Sequence, residues 1–416
     1  METPHRVVSV FMAALIAISP SLRVAHAEPL SGTLSTVRTA FDSALALSPE
    51  AQSQKRRVEA LMARRTAADS LTAQPLVLEG AYRSDRKYSN QGLREIELGL
   101  SAPLWNWNER DRTQLLRDHE TNTALARLEA IKLVLAGEVR QLVWETMSAQ
   151  LDVEIAQTRV LAAHKLVADV ARRVDAGELA KTDFYQVQSL HAQAQSEAGR
   201  ARALLSDIAV EFSSTTGLPV SALQGIEAEK AVNFSGTSLL DHPSVKLAYA
   251  QGQTFDRQVE LTKTQKRANP ELGLGVISER SVFGAAAEKS LVLSTRIPLG
   301  NSPEYQSRVL EAQSNQLEAH ATLKKTERSI IAKQRAAQSN VDVFEQMRKT
   351  AQEQAELARR VFALHQQSFE LGETDLPTLL RHEQLAFEAE RLARKSEIEH
   401  ASRVSAYRQA LGHLPE

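Results

Sequence analysis

Eleven histidines and 51 acidic residues are the side chains of this 416-residue chain that could most readily do chemistry. His382 and Glu383 adjoin, but no second histidine follows four residues after His382, so the helix signature of a zinc hydrolase is missing. The chain contains no cysteine, which excludes disulfides, thiolate metal sites and a cysteine nucleophile. Glycine-rich phosphate loops and nucleophile elbows are also missing from the sequence. We therefore predict that the protein is not an enzyme and uses no cofactor and no metal site.

The overall charge and composition indicate how partners are recognised. The 50 basic and 51 acidic residues nearly cancel, so no global field favours nucleic acid or an anionic membrane surface. Aromatic residues make up only 5% of the chain, while alanine, glutamine, glutamate, arginine and leucine abound. This composition is typical of long helices rather than of several compact domains.

The first residues have the pattern of an export signal. A short basic start at His5 and Arg6 precedes an apolar run over residues 7–18, and the small residues Ala25 and Ala27 follow. We expect residues 1–27 to be a signal peptide cleaved after Ala27; an uncleaved amphipathic N-terminus is the alternative. The apolar run is shorter than the ~20 residues that a membrane-spanning helix needs, so we expect no helical span in the mature chain.

The residues that shape the backbone recur at a constant offset of 195. This offset relates four pairs: Pro75 and Pro270, Pro103 and Pro298, Gly177 and Gly372, and Gly217 and Gly412. Surface loops ordinarily tolerate insertions, so a spacing kept this constant predicts two copies of one unit lying side by side at the same height.

Each copy begins with a predicted β-hairpin, over residues 75–103 and 270–298. Within the hairpins, polar and apolar residues alternate with a period of two, as in LREIELGLSAP, and each strand is about ten residues long. A tilted strand of that length can cross a bilayer. A soluble two-stranded sheet on a layer of helices gives the same alternation, but the export signal favours the membrane interpretation.

Helical periodicity follows each hairpin. From Leu128 onward, apolar and small residues recur in steps of three and four, for example at Ile131, Leu135, Val139 and Leu142, which is the seam of a coiled coil. A helix spanning the distance from Pro103 to Gly177 has a length on the order of 110 Å. Shorter helical stretches, such as residues 49–73 and 183–215, have nearly the same combined length and can stack end to end beside it.

These patterns predict a mostly α protein with a small β part. The predicted organisation is a first repeat over 28–217 (hairpin 75–103, long helix 104–175, turn 176–182, return helix 183–216), a polar linker over 218–242 that wraps the outside, and a second repeat over 243–416 (hairpin 270–298, long helix 299–370, turn 371–377, return helix 378–411).

Four strands are too few to close a barrel. An open sheet edge in hydrocarbon leaves backbone groups without hydrogen-bond partners, at several kcal/mol each. If these strands enter a membrane, several chains must share one barrel, and three chains supply twelve strands. We therefore expect an oligomer rather than a single chain.

Trp105 and Trp107 lie just past the strand-to-helix joint at Pro103, and Pro298 marks the corresponding joint of the second repeat. If the strands cross a bilayer, this is where an aromatic belt would lie, at the membrane–water interface on its inner side. The alternative is that the two indoles plug the joint between sheet and helix.

The ordered, duplicated set of segments resembles the outer-membrane factors of tripartite efflux systems, the TolC-like family. The segments are AFDSALALSPE, PLWNW, RRVDAGELAKTDFYQVQ and TTGLP, then RIPLG, FELGETDLPTLL and ALGHLP. HPSVKLAYAQGQ and NPELGLGV most resemble the branch that exports heavy-metal cations. The resemblance implies a homotrimer, with a twelve-stranded barrel in contact with outer-membrane lipid and a helical tunnel in the periplasm. It also implies a periplasmic adaptor docked on the tunnel tip and an inner-membrane pump, of the RND type or similar, as partners.

In that family scheme Gly177 and Gly372 mark the helix-to-helix turns at the periplasmic tip, where the channel closes and the adaptor binds. Glycine suits such turns because it accepts positive φ. Asp183 begins the returning helix as a cap, with Gln186 completing a capping box. The sharper hypothesis is an acidic ring at the closed tip that favours cations. Its members are Glu178, Asp183, Glu373 and Asp375.

The sequence also departs from the family pattern at the tip. Many members have an aspartate where this chain has Thr378, and some have one where it has Arg381, so a gate built on those acids is in doubt. His365 and His382 flank the second turn and could meet across a trimer axis as a cation site, although surface or packing roles are the simpler interpretation.

The sequence thus predicts a passive outer-membrane exit duct. Three alternatives remain open: the exit channel of a type I secretion system, a periplasmic coiled-coil adaptor, and an exported enzyme.

Overall fold

The computed structural model describes residues 36–223, 227–230 and 238–416. The α-helices within these ranges are α1 (Val37–Leu47), α2 (Pro49–Ala67), α3 (Glu109–Asp175), α4 (Lys181–Thr216), α5 (Pro243–Thr264), α6 (Tyr305–Glu370) and α7 (Leu376–Ala410). The strands are β1 (Val77–Ser84), β2 (Arg94–Pro103), β3 (Glu271–Arg280) and β4 (Glu288–Arg296). The predicted signal peptide, residues 1–27, lies outside the described residues. In the described part of the chain, every helix is too short or too polar to cross a membrane.

The four strands form one antiparallel sheet in the order β1-β2-β3-β4. Paired residues alternate between two chemically distinct faces, as the period-two pattern predicted. One face carries an exposed aliphatic row that crosses all four strands: Leu78, Leu100, Leu274 and Leu293. The opposite face is mostly polar or small: Glu79 pairs there with Gly99, and Ser101, Gly273 and Ser294 lie in line across β2, β3 and β4. A sheet exposing so many aliphatic side chains on one side needs an apolar partner there.

The offset of 195 is not kept within the paired strands. Leu100 pairs with Leu78 in the first hairpin, whereas its counterpart Thr295 pairs with Leu272 in the second. The first strands of the two hairpins are therefore related by 194 residues. The constant spacing of the prolines hides this shift, because Pro75 and Pro270 both precede the first ladder pairs. The difference of one residue therefore falls between each proline and its strand.

The helices of the two repeats lie side by side. The 67 residues of α3 span on the order of 100 Å, and α2 and α4 both pack along that length. In the same way α5 and α7 pack along the 66 residues of α6. The repeats meet where α3 packs against α5 and α7. Shorter helices thus lie beside each long helix. Their end-to-end stacking stays a prediction.

Both long helices begin later than expected. We predicted starts at residues 104 and 299, but α3 begins at Glu109 and α6 at Tyr305. The chain between sheet and helix is irregular, with positive φ at Asn108 (61°) and Gly300 (83°), conformations that a continuous helix does not contain. The return helices begin two residues earlier than predicted, at Lys181 and Leu376.

We predicted a linker that wraps the outside, but part of it is buried. Leu218, Ala222 and Leu223 are buried in a cluster with Phe41 of α1 and Val143 of α3. Apolar side chains in this short segment therefore help to build the core midway along the helices, which the polar character of the whole linker had obscured.

A buried ionic network fixes a further part of the linker. Glu229 lies between Arg140 of α3 and Arg408 of α7, and the three side chains are 4%, 3% and 1% exposed. Arg140 donates two hydrogen bonds to the Glu229 carboxylate, at 2.9 and 2.7 Å. It also donates to the backbone oxygen of His413 at 2.9 Å. The network therefore joins the first long helix, the last helix and the linker; we call it the equatorial clamp.

Candidate functional site

The first helix-to-helix turn is built around Gly177. Its φ is +80°, and the amide of Glu178 donates to the carbonyl of Arg173 at 2.9 Å while the amide of Gly177 donates to that of Val174 at 3.0 Å. This pair of bonds is the Schellman motif, which ends a helix with a residue in the left-handed region. Glycine adopts that region without steric cost, which explains its use here.

The second turn repeats this geometry around Gly372. Its φ is +78°, the amide of Glu373 donates to the carbonyl of Ser368 at 2.8 Å, and the amide of Gly372 donates to that of Phe369 at 3.1 Å. The structure thus places Gly177 and Gly372, the two tip glycines proposed from the sequence, at equivalent positions. The role of the turns in gating and docking remains a prediction.

The two turns lie at the same level. Just inside them one hydrophobic cluster draws on both hairpins of helices, with Val170 of α3, Val187 of α4, Phe369 of α6 and Leu376 of α7. The guanidinium of Arg173 lies over the ring of Phe369, 4.7 Å from its centre. The cluster therefore holds the two turns together as one end of the molecule.

Two of the four acids proposed for the tip are engaged in helix capping. Asp183 is the third residue of α4 and accepts a hydrogen bond from the amide of Ala180 at 3.1 Å. The prediction that Asp183 begins the helix and forms a capping box with Gln186 is therefore wrong. Asp375 is the N-cap of α7 and accepts from the amide of Thr378 at 3.3 Å.

This difference in capping explains the departure from the family pattern at Thr378. Both Asp183 and Thr378 occupy the third position of their helices, but the second helix is capped from Asp375 instead. Pro377 occupies the second helical position, where its missing amide proton costs no hydrogen bond. Glu178 and Glu373 are exposed in the turns themselves. An acidic ring at the tip thus stays a prediction, carried mainly by these two glutamates.

A cavity of about 440 Å³ lies between the two helical hairpins, above the turns. Arg159 of α3, Gln193 of α4 and Phe387 of α7 are among its lining residues. Arg159 pairs with Glu197 at 2.7 Å and stacks on Phe387, 4.9 Å from the ring centre. Burial raises the pKa of the Glu383 carboxyl, which also lines the cavity, while Arg159 acts in the opposite direction. The cavity is a groove of mixed polarity that can receive side chains of another protein.

His365 and His382 stack on each other within one chain. Their ring centres are 3.8 Å apart and their planes differ by 8°. The pKa of His382 is lowered by desolvation, by His365 and by Arg381. The two rings thus pack on each other between α6 and α7, which agrees with the packing role that was the simpler interpretation. A cation site across a trimer axis stays a prediction. Within the described residues no group of three or more potential metal-ligating side chains is present.

The two tryptophans after Pro103 have different environments. The indole of Trp105 donates to the backbone oxygen of Ser70 at 3.2 Å, so it fills the joint between sheet and helix. Trp107 is 89% exposed, which suits a position at a membrane interface. Pro103 accepts a hydrogen bond from Ala73 at 2.9 Å, whereas Pro298 lies past the end of the edge strand β4.

Glu109 is the central residue of the joint between β2 and α3, and it was not among the residues predicted from the sequence. Its side chain is buried, and its carboxylate accepts from the amide and the side chain of Asn106 at 3.0 and 3.1 Å. It also accepts from Gln265 at 2.8 Å and from Asn269 at 2.9 Å, both just before β3. One carboxylate therefore ties the start of α3 to the start of the second hairpin. The recurrence of Asn106 and Glu109 as Asn301 and Glu304 was the available sequence signal.

Similarity to known proteins is found at the level of solved structures. No family model matches the sequence, and no curated protein matches it significantly. Among solved structures, CusC, studied for folding and transmembrane channel formation, superposes with a TM-score of 0.76 at 14% identity, over 94% of this chain and 95% of that one. The outer membrane protein VceC of Vibrio cholerae gives 0.71 at 14% identity, over 90% and 96%.

The CmeC outer membrane channel of Campylobacter jejuni is also similar, with a TM-score of 0.70 at 14% identity over 98% of this chain and 94% of that one. Near-complete coverage in both directions means that the likeness extends to the sheet, the long helices and both turns. The chain has the TolC-like fold of outer-membrane channels.

Proposed function

We propose that this protein is the outer-membrane channel subunit of a tripartite efflux system, working as a passive exit duct. The observation that carries the proposal is the sheet: four strands with an apolar outer face, a polar inner face and two open edges. Such a sheet is stable in a bilayer only when other copies complete a closed cylinder. Three copies give twelve strands above a ring of long helices.

The partners follow from the same arrangement. The turns at Gly177 and Gly372 form the periplasmic end of the duct, and a periplasmic adaptor docks there, with the groove beside Arg159 and Glu383 as its receptor. An inner-membrane pump of the RND type or similar supplies the energy for transport. Heavy-metal cations are the proposed cargo, supported by the sequence resemblance alone.

Conductance in a planar lipid bilayer tests the proposed function. We expect the purified protein to insert and give discrete ion-current steps, since the polar inner face lines a continuous aqueous path. Persistent absence of current from correctly folded protein, under conditions that open the helical end, contradicts the proposal and favours a periplasmic adaptor instead.

The turns offer a second test. Replacing Gly177 or Gly372 by valine puts a β-branched residue at φ near +80°, although no atom lies within 4 Å of the added Cβ. The cost is conformational, about 1–2 kcal/mol at each turn. We expect weaker export, measured as lower resistance of cells to the transported compounds, with the oligomer intact.

Gly199 provides the matched control for this substitution. It lies inside α4 with helical φ, and again no atom lies within 4 Å of an added Cβ. Gly199→Val should leave export unchanged. Full resistance in the Gly177→Val and Gly372→Val variants removes the assignment of these turns to the gate.

A further inference from the structure

The two edge strands of the sheet, β1 and β4, each have one side without a strand partner in the part of the chain that the structure describes. The proposed channel requires β4 of one copy to pair with β1 of the next, but it does not specify which residues meet. The internal duplication supplies that information, because the contact between β2 and β3 inside the chain joins the end of one hairpin to the start of another. The contact between copies joins the same two elements.

The counterpart of each paired residue follows from the hairpin registers. A residue of β2 corresponds to the residue of β4 that lies 195 positions later, as Pro103 and Pro298 do, and a residue of β3 corresponds to the residue of β1 that lies 194 positions earlier. Gly99 pairs with Gly275 in the chain. The corresponding pair between copies is Ser294 with Ala81.

We infer that β4 pairs with β1 of the next copy in the register that sets Ser294 opposite Ala81. This inference rests on the proposed channel function. The neighbouring pairs in this register are Leu293 with Tyr82 and Arg296 with Glu79, each taken as the β4 residue and the β1 residue of the next copy.

The side chains of these three pairs are complementary in chemistry. Leu293 and Tyr82 both lie on the exposed apolar face and extend it without a gap. Arg296 and Glu79 lie on the polar face and have opposite charges. Ser294 and Ala81 are both small, as are Gly99 and Gly275, whose backbones approach so closely that a Cβ on Gly275 would lie 3.3 Å from the Cα of Gly99.

The geometry of a closed barrel gives an independent argument. The row of paired residues that starts at Leu78 ends on β4 at Leu293 and so reaches Tyr82 of the next copy, four residues further along. Over three copies this offset along the strands, the shear of the barrel, adds up to about twelve residues for about twelve strands. An eight-stranded barrel with a shear of eight has the same ratio of shear to strand number, and its strands tilt by about 36°. Membrane barrels tilt by roughly 35–45°. A slip of two residues at each interface gives about 20° or about 47° instead.

The strand-to-helix joint fits the same correspondence. Glu304 occupies the place of Glu109 but is exposed, and within the described residues its side chain makes no hydrogen bond. Asn269, which donates to Glu109, directly precedes Pro270, and its counterpart Gln74 directly precedes Pro75. Gln74 is also exposed. In the assembly, Gln74 of the next copy becomes the donor to Glu304.

Cysteine cross-linking tests the register directly, because the chain has no cysteine of its own. The double variant Ala81→Cys with Ser294→Cys places two thiols directly opposite each other between copies, within the Cβ separation that a disulfide needs. Within one chain the same two residues are three strands apart, and Ser294 lies four residues beyond Ser290, which is in line with Ala81. Their separation therefore exceeds the roughly 14 Å of three strand spacings and is too long for a disulfide. We expect covalent dimers and trimers on a non-reducing denaturing gel that collapse to one band on reduction.

Two slipped variants serve as controls: Ser294→Cys with Glu79→Cys, and Ser294→Cys with Arg83→Cys. All these positions lie on the polar face, so only the register distinguishes them. We expect the covalent trimer to be the main product only for the Ala81 and Ser294 pair. An intact trimer in which a slipped pair cross-links overturns the register alone. No cross-link in any variant, together with the mass of a single chain, overturns the proposed channel as well.

Discussion

Replacing Glu229 by alanine should lower the free energy of unfolding by about 3–5 kcal/mol, the usual cost of removing one partner from a buried ion pair. Glu229 accepts two of the hydrogen bonds that Arg140 donates, and it lies 3.4 Å from Arg408. Both arginines are buried. Without Glu229, Arg140 loses its carboxylate partner in a site closed to water, and Arg408 keeps only Glu416, 2.6 Å away on a side chain that is 74% exposed. Thermal unfolding followed by the helical circular dichroism signal measures the effect.

Glu227 is the matched control for this substitution. It lies two residues before Glu229 in the same segment but is exposed. Glu227→Ala should change the unfolding temperature little, since exposed charges contribute little to stability. Equal effects of the two substitutions would show that the equatorial clamp does not hold the helices together.

Replacing Glu109 by alanine should destabilise the joint between sheet and helices by about 2–6 kcal/mol. The side chains of Gln265 and Asn269 lose their acceptor on Glu109, and a buried donor left without one costs about 1–3 kcal/mol. The backbone amide and the side chain of Asn106 lose the same acceptor. We expect a lower unfolding temperature and faster proteolysis near residues 104–109.

Asp111 is the control for Glu109, because it lies in the same first turn of α3 but is exposed. Asp111→Ala retains the cluster and changes only an interaction with the helix dipole, about 0.3–1 kcal/mol. If the two variants unfold alike, the hydrogen bonds to Glu109 do not stabilise the joint.

Local patterns made much of the fold predictable. The two faces of the sheet follow from the alternation around Leu98 and Leu100, because strand side chains point to opposite sides in turn. The turns at Gly177 and Gly372 follow from glycine at the end of a long helical period, where positive φ is needed. These features depend on neighbours in sequence, so periodicity alone reveals them.

The features that escaped prediction depend on distant residues. Arg140 and Glu229 are 89 residues apart, and Glu109 and Asn269 are 160 apart, so no local pattern connects them. The shift from 195 to 194 within the strands was hidden because it leaves every proline and glycine spacing unchanged. Asp183 was placed two residues too late as the start of α4, since an aspartate stabilises a helix both as N-cap and in the first turn.

The mass of the purified protein in a mild detergent tests the central claim most directly. Each chain has a sheet with two open edges and an exposed apolar face. We therefore expect a particle of three chains whose strands form a closed twelve-stranded cylinder. Light scattering or native mass spectrometry should therefore report three times the mass of the mature chain. A stable, folded single chain under the same conditions would contradict the account.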